Sequence, residues 1–120
     1  MTRLRLKRVY EPAEQSDGAR VLVDRLWPRG LSKDKARIDL WLKAASPSHD
    51  LRKRFHARPQ AWEEFRSAYG KELKTPEAQA AIAELRQLMR KGRVTLVYAA
   101  RDEHHNNAVA LKAWLEGRED

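Results

Sequence analysis

Two short stretches carry the side chains best suited to chemistry. The first, "VLVDRLWPRG" (Val21 to Gly30), sets Asp24, Arg25, Trp27 and Arg29 directly after a run of strand-forming residues. The second, "YAARDEHHNN" (Tyr98 to Asn107), places Arg101, Asp102, His105 and Asn106 after another such run. An ionised group at the end of a buried strand is costly unless it is paired or hydrogen-bonded. These groups must therefore reach the open end of a sheet or find partners close by. Arg25, Arg29 and Arg101 are suited to clamping an anion, with Asp24 orienting a guanidinium. A histidine titrates near neutrality, so His105 is a candidate for handling protons, with Asp102 and Asp24 as the carboxylate candidates.

Each of these residues also has a purely structural reading. Asp24 equally fits an ion pair with Arg29 or Arg101 that pins two loops together. Asp102 suits the role of helix cap better than that of catalytic base. Trp27 and Pro28 are expected to close a core under the turn, with stacking of Trp27 on a base or sugar as the lesser reading. Trp41, Trp62, Phe65, Tyr69 and Trp114 read as packing between helix and sheet. Adjacent His104 and His105 would point about 100° apart on a helix, and Asp102 with His105 supplies only two ligands, so no metal is expected. A glycine-rich phosphate loop, a dinucleotide-binding fingerprint and a G-x-S-x-G elbow are all missing from the sequence, and no cofactor is expected.

The elements that would position these residues follow from periodicity. "LRLKRVY" reads as a strand near a sheet edge, and "EPAEQSDGA" as a loop. "RVLVDRLW" reads as a second strand whose apolar start implies burial on both faces, the habit of a parallel sheet, with Pro28 and Gly30 ending it. Ser32 suits a short helical turn, and "IDLWLKA" fits helix or strand equally. "SPSHDLRKRFH" reads as a helix capped by Ser46 or Ser48. Pro59 is expected to open a further helix with Trp62, Phe65, Tyr69 and Leu73 on one face, weakened by about 1 kcal/mol at Gly70. Thr75 and Pro76 open another helix, which carries Ile82, Leu85 and Met89 inward and ends at Gly92. "RVTLVYAA" is the clearest strand, and Asp102 is expected to cap a last helix ending at Gly117. The order predicts a single α/β domain: a small parallel or mixed sheet of about three strands, packed by several helices.

Composition narrows the class. The chain has 120 residues, no cysteine and a net charge of +8. Disulfides, thiolate metal sites and cysteine nucleophiles are thereby excluded. No apolar run reaches the roughly 18 residues of a membrane span, so no membrane partner is expected, and a cytoplasmic location fits. Residues 1–60 hold 15 Lys or Arg against 7 Asp or Glu, whereas residues 61–120 hold 10 of each. The positive excess thus lies in the half containing "DRLWPRG" and favours an anionic partner, either a phosphorylated small molecule or nucleic acid. Arg52, Lys53, Arg54 and Arg58, with Lys33, Lys35 and Arg37, suit a phosphate-tracking surface. They lack the interleaved aromatics of a single-strand binder.

The segments "RVLVDRLWPRGLSK", "DLWLKAASPSHDLRKRF", "WEEFRSAY" and "VTLVYAARDEHHNNA" resemble, in order and over nearly the whole chain, the bacterial YeaO-like proteins. These are small members of a wider family of domains of unknown function. By this resemblance the family-typical polar positions are Asp24, Arg25, Trp27, Arg29, Lys43, Ser48, Arg52, Tyr98, Arg101, Asp102, His105 and Asn106. Longer relatives carry Asp-Val-Arg after the second strand and Cys-His-Arg after the last. Here Val23-Asp24-Arg25 resembles the first, but His104, His105 and Asn106 replace the second. Thiol chemistry therefore does not carry over. Some relatives bear names involving porphyrin methylation, yet no adenosylmethionine-binding glycine loop is present.

Three functions compete on these residues. One is a binding or catalytic pocket for an anionic, phosphate-bearing small molecule. Its catalytic candidates are Asp24, Asp102 and His105; its ligand-binding candidates are Arg25, Trp27, Arg29, Lys43, Arg52, Tyr98, Arg101 and Asn106. The second is a nucleic-acid-binding accessory protein using the basic first half, and the third a structural or partner-binding domain. The pocket requires that the strands ending near Leu26 and Ala100 be parallel neighbours, since open α/β sheets bind ligands at the carboxyl ends of their strands.

Overall fold

The computed structural model describes residues 4–117. Four strands form one sheet: β1 (Leu4–Arg8), β2 (Ala19–Leu22), β3 (Leu40–Trp41) and β4 (Val94–Tyr98). Their order is β1-β4-β2-β3, and all three pairings are parallel. β2 and β4 are neighbours, in register from Ala19 opposite Val94 to Leu22 opposite Val97. β1 lies at an edge, as expected. Parallel strands need crossovers. α1 (Lys33–Ala36) lies between β2 and β3, while α2 (His49–Ala57), α3 (Trp62–Glu72) and α4 (Pro76–Lys91) link β3 to β4. α5 (Asn107–Gly117) follows β4.

Alternation along the strands divides the core. Val21, Val23, Leu96 and Tyr98 join Leu51, Phe65, Tyr69, Leu85 and Leu111 in the main core between the sheet and the long helices. The opposite face buries Leu22, Val97, Val9 and Ala36 under Trp27, Leu31 and Trp41. β4 is buried at all five positions, which is why its sequence is apolar on both faces.

Helix starts follow their caps. Ser32, Ser48 and Thr75 accept hydrogen bonds from the backbone N–H of Lys35, Leu51 and Ala78, and Pro76 occupies the first turn of α4. The Ser48 hydroxyl also donates to Glu72 at 2.6 Å, tying α2 to the end of α3. Of the expected stripe, Phe65, Tyr69 and Leu73 at the C-cap are buried and Trp62 is partly buried, and α3 continues through Gly70.

Four expectations need correction. The sheet has four strands rather than about three, because the ambiguous "IDLWLKA" contributes two strand residues and then a 3-10 turn, Lys43–Ala45. The second strand ends at Leu22, although the Val23 N–H still bonds the Val97 carbonyl at 3.2 Å. α3 starts at Trp62 rather than Pro59, since residues 58–61 form a turn closed by Ala61 N–H on the Arg58 carbonyl. The last helix starts at Asn107, with Asn106 accepting from Val109 N–H at 3.0 Å, so Asp102 is not its cap.

The polar part of the second face holds a buried ion network that the sequence did not announce. Asp17 sits on the 3-10 turn Gln15–Asp17 and pairs with Arg20 at 2.7 Å and Lys7 at 3.1 Å. Arg20 also donates to the Ala36 carbonyl, and the Thr95 hydroxyl to the Asp17 carbonyl. Burial pushes the Asp17 carboxyl up, but Glu14 N–H, Lys7 and Arg20 together outweigh it and hold the group below its ordinary 3.8. Gly18 follows at φ +67, where an added Cβ would stand 2.2 Å from the Arg93 carbonyl oxygen.

Two outcomes are expected. The stability contributed by Asp17 is present above pH 3.8 and is lost as pH falls through the lower folded value, so Asp17→Asn should flatten the acid limb of a denaturant-stability profile. Gly18→Ala should lower stability by more than about 1 kcal/mol, measured by urea unfolding, since it adds both backbone strain and overlap.

Candidate functional site

A parallel sheet gathers its strand exits at one end, and the polar candidates lie there. β2 leaves through Asp24, whose carboxylate accepts from Ala99 N–H at 2.8 Å and from the Asn107 side-chain amide at 2.8 Å. One side chain thus joins the exits of β2 and β4 to the start of α5. The Trp41 indole donates to the Asp24 backbone carbonyl at 2.7 Å, which brings β3 into the same knot. Burial pushes the Asp24 carboxyl above its ordinary 3.8, opposed by Ala99 N–H, the Asn107 amide and the Arg52 guanidinium.

The arginines divide between scaffold and rim. Arg25 donates to the carbonyls of Pro47 at 3.0 Å and Ser46 at 3.2 Å, so it staples the β2 exit to the segment before α2. Arg52, in the first turn of α2, is partly buried near Asp24, and its Nε is enclosed with no hydrogen-bond partner. Arg29 and Arg101 are exposed. The Arg29 carbonyl accepts from the Tyr10 hydroxyl at 2.8 Å, which pins the loop while leaving the guanidinium outside. Lys43 is exposed, with its ammonium 4.9 Å from the centre of the Trp41 ring.

After β4, Asp102 organises a loop. It accepts from the backbone N–H of His104 at 2.8 Å and of His105 at 3.0 Å, and these bonds hold its carboxyl below the usual range. His105 Nδ1 lies 3.2 Å from Asp102, and its ring packs edge-on against Trp62, 5.0 Å between centres. Both side chains are exposed. Asn106 is buried, donating to the Asp102 carbonyl while capping α5. Tyr98 is buried within the main core, and burial with the nearby Glu103 and Glu11 charges pushes its hydroxyl up.

The structure therefore brings Asp24, Arg25, Arg52, Asn106 and Asn107 into one framework, with Arg29, Lys43, Arg101, Asp102 and His105 at its exposed margin. Trp27 faces the opposite side, edge-on to Trp41 at 5.5 Å, with its indole donating to the Leu31 carbonyl. Asp24 does not pair with Arg29 or Arg101; neutral donors hold it. Sequence reasoning missed Asn107, whose signal was an amide beside the helix start, and Trp41 as a polar partner. It also missed Arg8, which crosses from β1 to the carbonyls of Ala99 at 3.0 Å and Ala100 at 2.9 Å. Among the described residues no three His, Asp or Glu side chains converge as a metal cluster.

A parallel four-stranded sheet with a tethered carboxylate and a cationic margin at its carboxyl end defines a small α/β protein with a polar rim. The chain belongs to the family described as the inactive DUF488-N3 subclade, whose model matches residues 3–120. It is similar to the uncharacterized protein YeaO of Escherichia coli K12, 44% identical over 112 residues, covering 93% of this chain and 96% of that one. It is equally similar to the uncharacterized protein Rv3073c of Mycobacterium tuberculosis H37Rv, 44% identical over 117 residues, covering 98% and 97%. No solved structure matches the chain significantly.

Removing the Asp24 carboxylate strands two donors, so Asp24→Ala should cost roughly 1–3 kcal/mol in chemical denaturation. The Asp24 and Asp17 carboxyls should also titrate in opposite directions from 3.8 in a carboxyl-detected NMR titration, Asp24 above and Asp17 below. Protonation of Asp24 favours the folded state, so its contribution is full below pH 3.8 and declines as pH rises through the raised folded value.

Proposed function

We propose that this chain binds a small anion, of the phosphate-bearing kind, at the carboxyl ends of β2 and β4 and does not turn it over. One observation carries the reading. Arg25, Arg29, Lys43, Arg52 and Arg101 all stand on segments leaving that end of the sheet, and none forms an ion pair among the described residues. Guanidinium groups without carboxylate partners around a polar framework favour a doubly charged oxyanion, which accepts forked hydrogen bonds. The buried Arg52 Nε adds a donor whose bond is unmade.

Binding without turnover fits the remaining geometry. Asp24 is held by two donors and Asp102 is occupied by its own loop, which leaves neither carboxylate free as a base. The family description as an inactive subclade agrees with that reading. His105 would contribute a hydrogen bond to the anion rather than a proton transfer.

Thermal unfolding at constant ionic strength tests this. Inorganic phosphate, pyrophosphate or a nucleoside monophosphate should raise the midpoint by several degrees relative to chloride, saturably. The double variant Arg29→Ala/Arg101→Ala should keep the fold, because both side chains are exposed, and lose most of that rise. An unchanged midpoint with all three anions overturns the proposal. So does a response confined to duplex DNA that weakens steeply with salt and depends on Lys53, which would move function to the basic face of α2.

A further inference from the structure

A cleft between α2 and α3, away from the strand exits, has the make-up of a second binding site. Its walls are Leu51, Phe55, Phe65 and Ala68, and it encloses about 250 Å³. That is roughly the space of eight waters in the liquid, too small for a dinucleotide but enough for one ring or a short acyl chain. Phe55 and Phe65 stack with centres 4.5 Å apart, and Trp62 lies 5.6 Å from Phe65, so the aromatic wall is fixed. Ala57 and Ala61 at the turn keep the cleft from filling with its own side chains.

The mouth is charged. Arg54 and Arg58, a helical turn apart at the end of α2, line the cleft together with Glu64. Both arginines are exposed, and neither guanidinium has a hydrogen-bond or ion-pair partner among the described residues. Glu64 stands in the first turn of α3, where a carboxylate is favoured by the helix dipole irrespective of any ligand. An apolar floor with two unpaired cations at its lip complements an amphipathic molecule with one anionic end. A bare inorganic ion would leave the floor wet, and a neutral apolar molecule would leave the arginines unused.

From this juxtaposition we infer that the α2–α3 cleft binds a small organic carboxylate, with its apolar body against Phe55 and Phe65 and its carboxylate at Arg54 and Arg58. The site is separate from the anion site at the strand exits, and its residues are different.

Amide-detected NMR titration of the whole chain with benzoate and octanoate tests the inference. Saturable shifts are expected in residues 51–68, with dissociation constants of about 1 mM or tighter. Benzyl alcohol and octanol should bind about tenfold more weakly, and benzylamine weaker still. Arg54→Ala and Arg58→Ala should each weaken the carboxylates about tenfold, whereas Ala68→Leu, which fills the cleft, should abolish binding with the spectrum otherwise native. Arg29→Ala/Arg101→Ala should leave carboxylate binding intact, separating this site from the first. The inference is overturned by no shifts up to about 20 mM ligand, by acids and alcohols binding alike, or by Ala68→Leu binding as the parent does. Equal competition by inorganic phosphate would also overturn it, since the arginines would then act without the apolar floor.

Discussion

The parallel contact between β2 and β4 is the constraint on which the rest of the molecule depends. It places two strand exits side by side, each with backbone groups that the sheet no longer pairs. Asp24 answers this by accepting from Ala99 N–H, so a side chain continues the ladder where the backbone stops. The same carboxylate takes the Asn107 amide and so fixes where α5 begins. Trp41 and Arg25 then tie the neighbouring segments to this point from either side. The polar rim is a by-product of closing the sheet.

Charge is used differently in the buried network around Asp17 and at the strand exits. Before and along β2, Asp17 and Arg20 are buried as a pair with the partly enclosed Lys7 of β1 beside them, and each compensates another. Near the strand exits, the Asp24 carboxylate is hydrogen-bonded by neutral donors with the Arg52 guanidinium nearby, while Arg29 and Arg101 stand exposed outside it. The opposite shifts of Asp17 and Asp24 follow from that contrast. A backbone N–H and two cations lower the Asp17 carboxyl, whereas at Asp24 burial outweighs the donors and raises the carboxyl above its ordinary value.

Much of the frame was legible because its signals are local. The apolar runs around Val21 and Val94 specify strands buried on both faces, and Ser32, Ser48 and Thr75 specify helix starts within a few residues. The parallel neighbours were expected from the paired strand-end patterns. What escaped depended on contacts far apart in the chain. Lys7, Asp17 and Arg20 look like ordinary surface charges until β1, β2 and the turn between them enclose them. Asp102 carries the sequence signature of a cap, but the loop Ala99–Asn106 separates β4 from α5, and Asn106 sits where the cap is needed. Arg25 and Trp27 were identified as polar candidates, yet their donors face inward to carbonyls, and no residue pattern distinguishes an arginine that staples from one that waits for a ligand.

The sheet also ends in a particular way at each side. β1, at one edge, carries the basic residues Arg5, Lys7 and Arg8 among its five positions, and β3 at the other offers only two residues of ladder. Neither border is a good template for another extended chain: the first repels a copy of itself, and the second is too brief to grip one. Growth of the sheet by strand addition, the usual first step toward fibrous deposits, is therefore discouraged at both borders by the fold itself.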